Sequence, residues 1–393
     1  MGWDGPVPAL TTTRNFVALT FALNGFLFAT LVSRLPDVRS ELALGNGSLG
    51  LLLLAISAGS ILALPSSGWL IERSSAAAVV RLAGVLGAAG LAIAAFGAGV
   101  AEAVPPTAIG LFVYGIGIGV WDVAMNVEAA EVERRLGRTI MPRFHAGWSI
   151  GSIAGAGLGI PMAAARVPMV LHIGALCALS LVLLVWAAGS FLPSTPVAKD
   201  RAKPVSAWRE PRTLAIGVMV LSFAVVEGSA NDWLSLALID GYDARHWVGV
   251  AGFSVFVCAM TAGRLLGPVL LDRLGRAPVL WCTAAAATAG ILLVVYGGHW
   301  SVVVLGIVIW GLGASLGFPV GMSAAADDPV RSAARVSVVS TIGYGAFLAG
   351  PPLLGQLGDR VGTLDSLLAV AVLMAPAALS VFAARPAAPV RSS

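Results

Sequence analysis

Along this chain apolar residues come in blocks, and the polar positions gather in the short intervals between them. A block of about 20 apolar residues is long enough to cross roughly 30 Å of hydrocarbon as a helix. Within the blocks polar and apolar residues do not alternate, which excludes the strands of a membrane barrel. The pattern predicts an all-α membrane protein with twelve transmembrane helices, near 14–35, 47–71, 76–100, 106–130, 144–165, 168–192, 213–238, 247–271, 277–297, 300–323, 333–357 and 363–384. We number these spans 1 to 12. The first reads as a retained span, because no short apolar core followed by a cleavage site precedes it.

Composition agrees with that pattern. The 393 residues are 58% hydrophobic and only 11% charged, with a mean hydropathy of +0.90. A soluble domain carries about 25% charged residues and needs them to cover its surface.

Charge adds orientation. Eighteen of the 24 lysines and arginines fall at the start of span 1, after span 12, or in every second loop and the span ends beside it; five lie in or beside the other loops, and Arg264 lies within span 8. Positive residues stay on the cytoplasmic side, so both termini are expected there, in a bacterial inner membrane surrounded by lipid. The net charge of +4 includes no basic patch interleaved with aromatics, so no nucleic acid partner is expected. Cys177, Cys258 and Cys282 sit in predicted spans without metal or pairing spacing and read as small packing residues. No nucleophile elbow, phosphate loop or metal cluster is present in the sequence, so neither an enzyme nor a cofactor is expected.

The longest inner connection divides the chain into a six-span half, 1–192, a linker, 193–212, and a second half, 213–393. Tyr114-Gly-Ile-Gly-Ile-Gly-Val matches Trp310-Gly-Leu-Gly-Ala-Ser-Leu at a shift of 196. The same shift pairs Gly147-Trp148 with Gly343-Tyr344 and Gly159 with Gly355. Glycine clusters also arise from helix packing alone, but a register shared by two span pairs points to a repeat. Paired six-span halves are built around a central binding site in many transporters.

In these features the chain resembles the major facilitator superfamily over nearly its full length. That resemblance implies two pseudo-symmetric six-helix halves. The superfamily has a Gly-x-x-x-Asp-Arg-x-Gly-Arg signature between spans 2 and 3, echoed between spans 8 and 9. Here the first copy begins as Gly68-Trp-Leu-Ile-Glu72-Arg73 and is then lost. The second ends as Asp272-Arg273-Leu-Gly275-Arg276 with one extra residue before it. The resemblance implies a gating role for Glu72, Arg73, Asp272, Arg273 and Arg264; the alternative is ordinary snorkelling anchors. Spans 4 and 5 are most similar to fucose-permease-like sugar/proton symporters. That branch has an acid followed four residues later by Asn, as in Asp122 and Asn126, then an aromatic-polar start and Ser-x-Gly, as in Phe144-His145 and Ser149-Ile-Gly151. The acid those symporters carry in span 1 is absent, and Asn24 is the strongly polar residue there.

The polar side chains point the same way by themselves. A charged group inside a bilayer costs a few kcal/mol or more and faces a bundle interior or a watery path. Spans 1, 4 and 7 carry Asn24, Asp122, Asn126, Glu227, Asn231 and Asp232, whereas the centres of spans 3, 9 and 12 carry none. Asp122 and Asn126, four apart, share a helix face. Asp122 and Glu227 are the candidate proton-coupling or solute-binding acids; for Asp122 a structural carboxylate satisfied by Asn126 or a serine is the alternative. Glu227, Ser229, Asn231 and Asp232 read as a weakened helical stretch of the kind that lines a cavity. His145 and Ser149 are candidates for a proton relay or for local capping. Trp148 and Tyr344, repeat mates, are candidates for stacking on a solute or for packing. Glu128, Glu131 and Glu133 with Arg134, Arg135 and Arg138 read as an interfacial charge network.

The reading is a monomeric secondary active transporter working by alternating access, coupling a small polar solute, sugar-like in one version, to protons. A proton-driven exporter of amphipathic compounds and a transport-inactive receptor on the same fold are the alternatives.

Overall fold

In a computed structural model the described residues are 7–192 and 207–385; they are helical and contain no strand. Most of the linker 193–212 lies outside them. Span 1 is Val7–Val32, followed by a short helix Leu35–Glu41. Spans 2 to 6 are Asn46–Arg73, Ala76–Gly99, Val104–Leu136, Met141–Ala164 and Met169–Ala188. Span 8 is His246–Leu274, span 9 Arg276–Tyr296 and span 11 Ser332–Val361. Eleven spans are long and apolar enough to cross a membrane on those criteria alone. The remaining one, Met141–Ala164, has the length, but Arg143, His145, Ser149 and Ser152 make it more polar.

Three spans are interrupted. Span 7 runs as Pro211–Ser229, widens into a π-turn at Ala230–Leu234, and resumes as Ser235–Tyr242. Span 10 breaks between Trp300–Ala314 and Gly317–Ala325. Proline explains that break: Pro319 has no N–H to donate to the carbonyl of Ser315, four residues earlier, and its ring crowds that carbonyl. Span 12 runs as Thr363–Val372, Met374–Ser380 and a 3-10 turn at Val381–Ala384.

The helix ends follow their sequence. Ser75 caps span 3 by accepting the Ala78 N–H at 3.1 Å. Span 4 starts with prolines in its first turn and ends at Gly137, whose φ of 63° is the left-handed conformation that glycine adopts without strain.

By internal contacts the chain divides into two compact units. One holds Met1–Gly137, Arg143–Pro204 and Val330–Ser337; the other holds Arg138–Pro142, Val205–Pro329 and Val338–Ser393. Each unit packs its helices through the same small-residue crossings. In the first, Gly90 lies against the Tyr114 N–H and Gly110 carbonyl, and Gly117 against Gly87 and Ala83. In the second, Gly290 lies against Trp310 and Gly306, and Gly313 against Ala287 and Thr283. Spans 4 and 10 therefore correspond at the shift of 196, while spans 3 and 9 correspond at 200. Spans 1 and 7 share the second register, since Gly159 meets Ser33 and Gly355 meets Trp233. At Gly90, Gly117, Gly290 and Gly313 backbones approach more closely than a side chain allows.

One packing expectation needs correction. Cys177 is buried, but Cys258 and Cys282 are exposed on helix faces. Such faces, with Leu266, Leu305 and Val182 on them, are the apolar surface a bilayer covers.

Candidate functional site

In the first unit the polar residues of spans 4 and 5 form one connected chain. Asn126 donates from its amide nitrogen to the Asp122 carbonyl at 2.9 Å and to Asp122 Oδ1 at 3.3 Å. Its Oδ1 lies 3.1 Å from His145 Nε2. An amide oxygen only accepts, so Nε2 is the protonated ring nitrogen in this bond. Asp122, Asn126 and His145 are 6%, 0% and 8% exposed. Two titratable groups are thus held at the two ends of one amide. Phe21 of span 1 meets the His145 ring edge-on at 5.1 Å and stacks on Phe144. Ser149 donates to the His145 carbonyl at 3.3 Å.

Beside this chain, Trp148 Nε1 donates to Asn24 Oδ1 at 3.0 Å, and its ring lies 5.8 Å from that of Phe28. The Asn24 amide nitrogen is buried without a hydrogen-bond partner among the described residues.

In the second unit Glu227 of span 7 pairs with Arg264 of span 8 at 2.8 Å, with side chains 13% and 3% exposed. Arg264 Nε also donates to the Ser315 carbonyl at 3.4 Å, the acceptor that Pro319 releases in span 10. The pair therefore ties together three spans. Arg264 lies in the body of span 8, as the sequence places it, and is paired there with Glu227. No sequence signal places residues 37 apart on facing helices.

Asn231 and Asp232 are exposed on the π-turn. Asp232, Ser229 and Gly228 line one side of a small cleft, and Phe347, Gly350 and Pro351 of span 11 line the other. Tyr344 meets Phe347 edge-on at 5.8 Å. Trp233 packs on Gly355.

The loop candidates are dispersed. Arg73 lies 4.4 Å from the centre of the Trp69 ring, a cation–π contact. Within the second unit Asp272 Oδ1 accepts the Thr139 N–H at 2.9 Å. Arg273 is exposed and Glu72 half-buried. A cluster not anticipated from the sequence surrounds Asp327, which pairs with Arg212 at 2.6 Å and Arg276 at 2.7 Å. Of the expected acid–arginine network, Glu131 pairs with Arg134 and Arg135. Glu128 instead turns inward and accepts the Leu192 N–H at 2.7 Å.

The Major Facilitator Superfamily model matches residues 17–351. The chain belongs to that superfamily. It is 32% identical over 368 residues to the uncharacterized transporter y4wD of Sinorhizobium fredii, covering 89% of this chain and 92% of the relative. Among solved structures, a variant of the E. coli fucose:proton symporter FucP aligns with a TM-score of 0.78 at 16% identity, covering 94% of this chain and 97% of the other. The proton:xylose symporter XylE, bound to 6-bromo-6-deoxy-D-glucose, aligns with a TM-score of 0.74 at 15% identity, covering 95% of each chain. These likenesses carry the fold. As a superfamily member with eleven or more apolar spans, the chain is a membrane transporter.

Proposed function

We propose that this transporter moves a small polar solute together with protons, by alternating access, with Asp122 as the coupling acid. The observation that carries the reading is the buried Asp122–Asn126–His145 chain. An acid and an imidazole are the side chains that exchange protons most readily near neutral pH, and a membrane interior retains such groups at a cost. Asn126 fixes their spacing. An amide conducts a proton poorly, so the bridge couples the charges of the two groups and does not serve as a wire.

Asn24, Trp148, Asn231, Asp232 and Tyr344 supply the donors, acceptors and aromatic faces that suit a polar solute. Glu72, Arg73, Asp272 and Arg273 serve as gate charges in this reading, with both termini cytoplasmic and the halves divided at 193–212. That FucP and XylE, which share the fold, are named as proton symporters adds support.

The test is uptake into proteoliposomes. Solute accumulation driven by an inwardly directed proton gradient, and lost in Asp122→Asn, supports the reading. Extrusion against that gradient supports an exporter, and solute binding without flux supports a receptor.

A further inference from the structure

The Glu227–Arg264 pair has no counterpart in the first unit. The position equivalent to Glu227 in span 1 is Leu27, and span 2 carries no charge before Glu72. The repeated scaffold therefore folds without such a pair. Its surroundings in the second unit are the irregular ones. The π-turn of span 7 starts three residues beyond Glu227, and span 10 breaks at the carbonyl that Arg264 contacts. Pro268 releases the Arg264 carbonyl, four residues before it, from the helix ladder of span 8. Regular helix is lost beside the buried ion pair in spans 7 and 10, and span 8, though continuous, lacks one ladder hydrogen bond there, an arrangement transporters use where a ligand is held.

We propose that Arg264 binds the carboxylate of a small monocarboxylate solute, which replaces Glu227 as the counter-charge when Glu227 is protonated. This rests on the proton-symport reading and names its substrate class. An arginine is charged at every accessible pH, and a buried guanidinium without a counter-charge is strongly unfavourable. With Glu227 ionised, the locus holds one positive and one negative charge. When a proton converts the Glu227 carboxylate to the acid, the solute carboxylate restores neutrality. The proton alone leaves a net positive site, and the anion alone leaves a net negative one. Each half-loaded state is penalised, so anion binding is linked to protonation of Glu227, while Asp122 remains the acid that couples the loaded carrier to the gradient.

The other ionisable groups are few. Asp232 lies on the same span, span 8 has no further charged residue before Asp272, and span 10 has no ionisable side chain. Tyr344 is the ionisable residue near the middle of span 11.

Thermal unfolding of the full-length protein in detergent tests this, with sodium acetate and sodium D-glucuronate as probes and D-glucose as the uncharged control. At ten times Kd, binding to the folded state raises the Tm of a chain of this length by about 2 °C. In the wild type the anions should raise Tm by more in the more acidic of two buffers, because each anion bound brings a proton with it. Glu227→Gln, which leaves Arg264 without its counter-charge, should respond alike in both, and Arg264→Gln should be flat. An anion shift retained in Arg264→Gln overturns the proposal. So does an equal wild-type shift at both pH values, or no anion response in either wild type or Glu227→Gln. If Glu227→Gln does not fold, the same comparison is made between wild type and the Glu227→Gln/Arg264→Gln double variant, which should be flat. The symport reading fails separately: anion binding without gradient-driven flux sinks symport, whereas proton-driven uptake of D-glucose that survives in Arg264→Gln sinks only the anion site.

Discussion

Replacing Asn126 by alanine removes one hydrogen bond from each of two buried titratable side chains. Asp122 Oδ1 loses its donor at 3.3 Å and His145 Nε2 its acceptor at 3.1 Å, both in residues under a tenth exposed. A buried polar group left without its partner costs about 1–3 kcal/mol, so losing both bonds should cost at most about 2–6 kcal/mol. The Asp122 backbone carbonyl adds little, because it keeps its place in the helix ladder. A control separates the hydrogen bond from the titration. His145→Gln keeps an N–H donor for Asn126 while removing the ionisable ring, and should cost less than about 1 kcal/mol. Thermal unfolding of the detergent-purified variants reads the stability, and proteoliposome uptake across a pH series reads the coupling. The expected result is a lowered Tm with a displaced pH profile for Asn126→Ala, and a near-native Tm with a displaced profile for His145→Gln. An Asn126→Ala protein with native Tm and native pH profile would refute the network.

Three further outcomes follow from the geometry. Single removal of Glu227 or Arg264 should destabilise by about 3–5 kcal/mol, while the double variant Glu227→Gln/Arg264→Gln should recover much of that, because no unpaired charge remains; additive losses in unfolding would contradict the pairing. Gly117→Ala and Gly313→Ala should lower Tm in parallel, since a methyl at either site enters the backbone of the neighbouring span, whereas Gly174→Ala, with open space around it, should be neutral or better. Gly137→Ala places a side chain on a left-handed residue at the end of span 4 and should cost about 1 kcal/mol, read as a drop in Tm.

The span pattern was legible because length and apolarity alone decide whether a helix can cross a bilayer. Asp122 and Asn126 were legible as a pair because a spacing of four puts them on one face. His145 joins them across a helix contact, which spacing alone does not reveal. The break in span 10 was hidden, since Gly-Leu-Gly-Ala-Ser-Leu-Gly carries no charge and hydropathy does not register a missing N–H. Pro319, read against the carbonyl four residues before it, was the available signal. The stretch from Glu227 to Asp232 did read as weakened helix, and a π-turn lies there. Arg264 was legible as a charge within span 8, but its partner was not, because Glu227 is on another span. Glu128 was grouped with nearby arginines by proximity in sequence, although its carboxylate satisfies the N–H of Leu192.

The central claim is that Asp122 couples solute movement to protons. Its most direct measurement is uptake by Asp122→Asn in proteoliposomes, with and without an imposed proton gradient, against the wild type. The account predicts that the wild type accumulates solute only with the gradient and that Asp122→Asn gains nothing from it, while still exchanging solute down its own gradient. Accumulation by Asp122→Asn with an unchanged dependence on pH would contradict it.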